Sequence, residues 1–167
     1  MNAFTLTPGS VNIRFGAGSV SQLPEVIAGL NKKKVFIVTD PGVAAAGVLA
    51  KVEAILKSAG LESASYTEIK PNPTTTLIDT AAKVGVNFGA DCIVALGGGS
   101  SLDSSKGIAL VVANPTFSSA KFDYSMSPER PALPIIAIPT TSGTGSETNN
   151  WGVIDDPIRQ CKFYVGD

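Results

Sequence analysis

Histidine is absent from all 167 residues. That removes the commonest general base and the commonest transition-metal ligand together, so neither a serine–histidine triad nor a histidine-ligated metal is contained in this sequence. Cysteine is scarce. Cys92 and Cys161 stand far apart with no CxxC spacing, and Cys92 opens the apolar run Cys92-Ile93-Val94-Ala95-Leu96, which suits a buried reduced thiol. Charge is sparse and balanced: 13 basic against 14 acidic residues give a net charge of -1. Lys32-Lys33-Lys34 is the nearest approach to a basic block, and it reads as a solvated loop, so no nucleic-acid partner is expected. No stretch reaches the roughly 18 apolar residues of a membrane span, and Met1 to Leu6 lacks the pattern of a signal peptide. The expectation is a cytoplasmic protein with no membrane partner.

What is present is a 44% apolar chain of one-domain size, too apolar for disorder. Short β-branched runs alternate with longer helical patterns, which predicts an α/β domain built of βαβ units around a parallel sheet. Strands are expected at 11–15 (an edge strand), 35–38, about 63–69, 92–96 and 135–138, the last as a core strand. Helices are expected at 19–30, about 43–59, a segment ending at Gly89, and 101 to about 113. The Pro- and Ser-rich segment 114–132 reads as a surface loop or lid. Residues 151–165 read as a β-hairpin turning at Asp155-Asp156-Pro157. The sequence stops at Gly166-Asp167 straight after this hairpin, which gives the expectation of a fragment.

The strongest local pattern is Gly97-Gly98-Gly99-Ser100-Ser101-Leu102-Asp103-Ser104-Ser105-Lys106, a strand end, a glycine turn and a helix start. Glycines admit a phosphate close to the backbone, and a helix N-terminus offers unpaired N–H groups. The same residues could instead form a capped turn, with Ser100 as N-cap, Asp103 completing a capping box and Lys106 pairing with Asp103. A second turn, Thr140 to Gly145, also follows a strand. Its hydroxyls and glycines suit ribose or pyrophosphate contacts, or a capping box between Thr144 and Glu147. Asp40 closes the 35–38 strand, either as a ribose acceptor or as the turn residue of Asp40-Pro41-Gly42. Gly16-Ala17-Gly18 imitates the start of a dinucleotide fingerprint but is read as a plain turn, because position 21 is serine.

Taken together, these motifs resemble the iron-containing (group III) alcohol dehydrogenases. The run from Gly97 to Lys106 is similar to the GGGSxxDxxK signature of that family. Pro139-Thr140-Thr141-Ser142-Gly143-Thr144-Gly145-Ser146-Glu147 resembles its second signature, and Thr39-Asp40 and Pro71-Asn72-Pro73 resemble two more, in the same order. The resemblance implies a Rossmann-like parallel sheet flanked by helices with a terminal β-hairpin, residues 1–167 forming one NAD-binding domain. It implies that Asp40 holds the adenosine ribose, that Asn72 lines the cleft, and that Gly98, Gly99 and Ser100 cradle the pyrophosphate. Asp103, Thr140, Thr141 and Thr144 would sit near the nicotinamide half, with Val153 and Lys162 closing over the ribose. In the family a helical C-terminal domain supplies one aspartate and three histidines to a divalent metal, iron or in related enzymes zinc. No residue here can be carried over as a metal ligand, so the resemblance is to the N-terminal part alone. It implies a parent oxidoreductase acting on an alcohol/aldehyde pair, with catalysis lost in this chain by itself. A stand-alone nucleotide-binding module and the cofactor domain of a glycerol dehydrogenase-like zinc enzyme are the competing expectations. Apolar surface at the open cleft gives the further expectation of a homo-oligomer.

Overall fold

A computed structural model describes residues 4–6, 11–123 and 126–166. Strand β1 (Phe4–Leu6) pairs antiparallel with β2 (Ile13–Phe15), apart from the main sheet. The expected edge strand at 11–15 is therefore half of a separate two-stranded pair. A 3-10 turn at Ser19–Gln22 leads into α1 (Leu23–Gly29), whose Leu23 and Ile27 are buried. Next come β3 (Lys34–Val38), α2 (Pro41–Ala45), α3 (Val48–Ser58), β4 (Glu62–Tyr66) and α4 (Thr75–Phe88). They are followed by β5 (Cys92–Gly97), α5 (Gly99–Ala113), β6 (Ile135–Pro139) and the hairpin β7 (Trp151–Asp156) and β8 (Cys161–Gly166).

The single helix expected over 43–59 is two helices. Gly47 lies in the left-handed region (φ 75) between them, a backbone state that glycine enters without steric cost. Gly89 ends α4 in the same way, at φ 75. The hairpin turns later than expected: Asp155 and Asp156 are still in β7, and residues 157–160 make the turn, with Gln160 at φ 53. Asp156 nevertheless serves it, since its Oδ1 accepts from the amides of Ile158 and Arg159.

The four main strands are parallel in the order β4-β3-β5-β6. Side chains alternate strictly across this sheet. Val35, Ile37, Cys92, Val94 and Leu96 pack with Leu23, Ile27, Leu49, Val52 and Leu56 on the face covered by α1 and α3. Phe36, Val38 and Ile93 face the other way, against Ile78, Ile108 and Leu110 of α4 and α5 and Ile154, Phe163 and Val165 of the hairpin. Thus the chain leaves β3 over one face and β5 over the other. The gap between β3 and β5 is the topological switch point, where ligands of open α/β sheets bind beyond the carboxyl ends of the strands.

Two expectations about the rim change. β6 is an edge strand with half-buried side chains, because nothing among the described residues pairs with its outer side. The described part of 114–132 is tied down rather than lid-like. The Asn114 side chain bonds the carbonyl and amide of Arg130, Asp79 accepts from Ser118 and Ser119, and Phe122 is buried in the core. Tyr124 and Ser125 of that segment lie outside the described residues, as do Met1 to Ala3 and Asp167.

Candidate functional site

At the switch point, Asp40 follows β3 and stands beside the turn that follows β5. Its Oδ1 accepts from the Val43 amide at 3.0 Å, which makes it the N-cap of α2, and its Oδ2 accepts from Ser101 Oγ at 3.3 Å. The turn reading of Asp40 is therefore realised, and the carboxylate is also placed on the glycine turn. Gly97 has φ 146, and a Cβ there would lie 2.6 Å from Ser101 Oγ and 3.1 Å from Asp40 Oδ2. No other residue type fits between these two side chains.

The helix start differs from the capping box considered above. Gly98, in extended conformation, is the N-cap of α5, and no side chain caps the first turn. Ser100 is already helical. Asp103 points elsewhere: Oδ2 accepts from the Val153 amide at 3.1 Å, and Oδ1 lies 3.4 Å from Lys106 Nζ. Thr144 and Glu147 form no box either, since Gly145 precedes the short 3-10 turn there and Thr144 Oγ1 accepts from the Ser146 amide. Both carboxylates sit at capping-box spacing, but Asp103 is taken by the Val153 amide and the Thr144 hydroxyl by the Ser146 amide.

The second turn lies directly against the first. The Thr140 amide donates to the Gly97 carbonyl at 2.9 Å. A Cβ on Gly98 would meet Thr141 Oγ1 at 3.3 Å, and one on Gly99 would meet Thr144 Cγ2 at 3.2 Å. From there the track reaches the outer face of the hairpin, where Val153 pairs with Tyr164 and Asp155 with Lys162. A groove of about 560 Å³ is lined by Asp103, Thr144, Ser146, Asn149, Trp151, Val153 and Tyr164. Farther along, Lys162 Nζ donates to Asn72 Oδ1 at 2.9 Å and lies 3.2 Å from Asp155. Asn72 borders a separate hollow at the end of β4, lined also by Tyr66, Lys70 and Thr76.

The structure therefore brings Asp40, Gly98, Gly99, Thr140, Thr141 and Thr144 together around the two turns, with Ser100 inside the first turn of α5, and places Asp103, Thr144 and Val153 along one groove. Asn72 and Lys162 form their own contact at the far end of the hairpin. Sequence reasoning missed Ser101, Asn149, Trp151 and Tyr164. Ser101 sat within a quoted motif and could have been found as its second serine. Trp151 and Tyr164 carry a signal only once the hairpin register places them on one exposed face, at 38% and 56% exposure.

The donor set suits a dinucleotide. Uncapped amides at the positive end of a 15-residue helix face the space that the missing Cβ atoms of the turn leave open. Carboxylate and hydroxyl groups for sugar hydroxyls flank it on both sides. Among the described residues no group of three or more His, Cys, Asp or Glu side chains is placed to hold a metal ion. No helix among them is long and apolar enough to cross a membrane.

Residues 10–167 match the family model described as iron-containing alcohol dehydrogenase. Lactaldehyde reductase of Escherichia coli (strain K12) is 39% identical over 154 residues, covering 92% of this chain and 40% of the relative. NAD-dependent methanol dehydrogenase of Bacillus methanolicus is 36% identical over 169 residues, covering 100% of this chain and 43% of the relative. The solved structure of sulfoacetaldehyde reductase from Bifidobacterium kashiwanohense in complex with NAD+ superposes with a TM-score of 0.82 at 28% identity, over 92% of this chain and 40% of that one. The chain thus spans about two fifths of the length of the proteins it matches.

Proposed function

This chain belongs to the iron-containing alcohol dehydrogenase family, and from that premise we propose that residues 1–167 are the NAD-binding domain of a cytoplasmic enzyme that interconverts an alcohol and an aldehyde. The observation that carries the reading is the uncapped glycine turn at the switch point, with Asp40 on one side and Thr140 to Thr144 on the other. The amides of Gly99, Ser100 and Ser101 hold the pyrophosphate. Asp40 receives the adenosine ribose hydroxyls, giving up or sharing its bond from Ser101. Thr140, Thr141 and Thr144 line the path toward the nicotinamide half, which lies in the groove between Asp103 and Val153. Lys162 and Asn72 close its far end.

NAD supplies the hydride acceptor when bound, and these residues orient it and exclude water from one side. In this reading the metal ligands and the substrate pocket lie outside the matched region, which is about two fifths of the relatives' length. A divalent metal, iron in keeping with the family, would be held by residues outside this chain and would supply Lewis-acid polarisation of the substrate oxygen. The chain by itself binds NAD and oxidises no alcohol.

Calorimetric titration with NAD and NADP tests the reading. A 2′-phosphate would bring negative charge against the Asp40 carboxylate, and Pro41, Gly42 and Val43 offer no cation to offset it. Repulsion at about 4 Å and an effective dielectric of about 20 is on the order of 4 kcal/mol before relaxation. Solvent screening at this half-buried site leaves roughly a third, or about tenfold in affinity. NAD should therefore bind about tenfold more tightly than NADP, and Asp40→Gly should narrow the gap. Equal affinities in the parent chain would remove Asp40 from the site.

A further inference from the structure

Lys106 is 6% exposed, unlike the solvated lysines of the loops, and it lies on α5 facing the hairpin. Its Nζ donates to the Trp151 carbonyl at 2.6 Å and to Asn149 Oδ1 at 3.0 Å, and it contacts Asp103 at 3.4 Å. Asn149 Oδ1 in turn accepts from the Trp151 amide at 3.0 Å. One residue further along β7, Gly152 lets the strand settle onto α5 so closely that a Cβ would lie 2.5 Å from the Asp103 carbonyl. One more residue along, the Val153 amide reaches Asp103 Oδ2. Three consecutive residues of β7 are thus fastened to one turn of α5, and a buried ammonium holds the centre.

Burying a cation costs free energy unless several acceptors surround it. Burial pushes the Lys106 pKa down, against the upward pull of Asp103 and Glu147. A methionine or leucine would fill the same space without that cost, so packing alone does not account for a lysine here. The fastening has a geometric consequence. α5 carries the glycine turn at its N-terminus, and β7 carries Trp151 and Val153 on the groove wall. The separation between these two walls is set where Lys106 sits.

We infer that Lys106 is a positioning residue that fixes the hairpin wall of the groove relative to the glycine turn, and so selects for the nicotinamide half of a dinucleotide over the adenosine half. It touches neither half itself. The inference rests on the dinucleotide reading of the site.

The test compares the parent chain with Lys106→Met by two readouts. Amide hydrogen exchange at Trp151 and Val153 should accelerate at least tenfold in the variant, while amides of β5 stay within twofold. Calorimetry should show NAD affinity falling fivefold or more, with ADP, which carries only the adenosine and pyrophosphate parts, unchanged within twofold. Trp151 is the sole tryptophan, so its emission should shift to the red as the hairpin loosens. Should Lys106→Met fail to fold, Lys106→Gln, which keeps a donor but not the charge, carries the same comparison. Parallel loss of NAD and ADP, or β7 exchange that rises no more than that of β5, overturns the inference. A parent chain that binds neither ligand overturns the dinucleotide reading and the selectivity claimed here. The exchange data would still show whether Lys106 fastens the hairpin.

Discussion

Helices α4 and α5 lie side by side on one face of the sheet, yet their N-termini are built in opposite ways. α4 begins at Thr74, whose hydroxyl accepts from the Leu77 amide, so its first turn is closed by its own side chain. α5 begins at Gly98 with no side-chain cap, although serines occupy positions 100 and 101 and an aspartate position 103. Those side chains are engaged elsewhere: Ser101 with Asp40, and Asp103 with Val153 and Lys106. The difference is that α4 closes its own first turn, whereas α5 keeps amides that the proposed function assigns to a phosphate. A helix start that has capping residues to hand and does not use them signals a site more strongly than glycines do. Gly16-Ala17-Gly18, by contrast, makes an ordinary turn with Gly18 at φ 77.

The comparison can be broken most forcefully at Gly97. Alanine there would combine a positive φ with contacts at 2.6 and 2.8 Å to Ser101. The expected cost is about 2–3 kcal/mol of stability, with dinucleotide binding lost because Ser101 and Asp40 are displaced. Urea unfolding and NAD titration of Gly97→Ala measure both.

Giving α5 a cap of its own sharpens the contrast. Gly98→Ser keeps an extended backbone and places its Cβ about 3.3 Å from Thr141 Oγ1. Serine and glycine differ by only a few tenths of a kcal/mol at an N-cap. NAD affinity should nevertheless fall about tenfold, near 1.4 kcal/mol, as the hydroxyl occupies an amide meant for phosphate. The converse, Thr74→Ala, should cost about 1 kcal/mol in stability and leave NAD affinity unchanged.

The smallest effect concerns β5, the strand that carries the glycine turn. Burial, with the Asp91 charge and hydrogen bond beside it, pushes the Cys92 thiol up from 9.0 to about 12. The neutral thiol is therefore favoured in the folded state. Its contribution is fully present below pH 9 and is lost as pH rises toward 12, by roughly 1 kcal/mol at pH 10. Cys92→Ala should flatten the alkaline arm of the stability profile by that amount. In the native chain a thiol reagent should modify exposed Cys161 and spare Cys92.

Much of this was legible in the sequence because it is local. Strand runs such as Val35 to Val38 and Cys92 to Leu96, the stop at Gly89, and the placement of both glycine-rich turns after strands all depend on neighbours within a few residues. Illegible features depend on distant partners. Asp103 forgoes a capping box because Val153 arrives from 50 positions away. Phe122 turns a polar loop into a core segment, and β2 pairs with β1 rather than joining the sheet. The role of Lys106 was hidden for the same reason. Its spacing to Asp103 suggested an ion pair along the helix, which forms, but its bonds to Asn149 and Trp151 depend on the hairpin.

The proposed function requires that the start of α5, and not that of α4, receives the phosphates. The most direct measurement is a titration of ¹⁵N-labelled chain with NAD, followed by amide chemical shifts. The largest shifts should fall on Gly98 to Ser101 and Thr140 to Thr144, with Thr75 to Leu77 and Gly16 to Gly18 unmoved. Shifts centred on the start of α4, or none at saturating NAD, would contradict it.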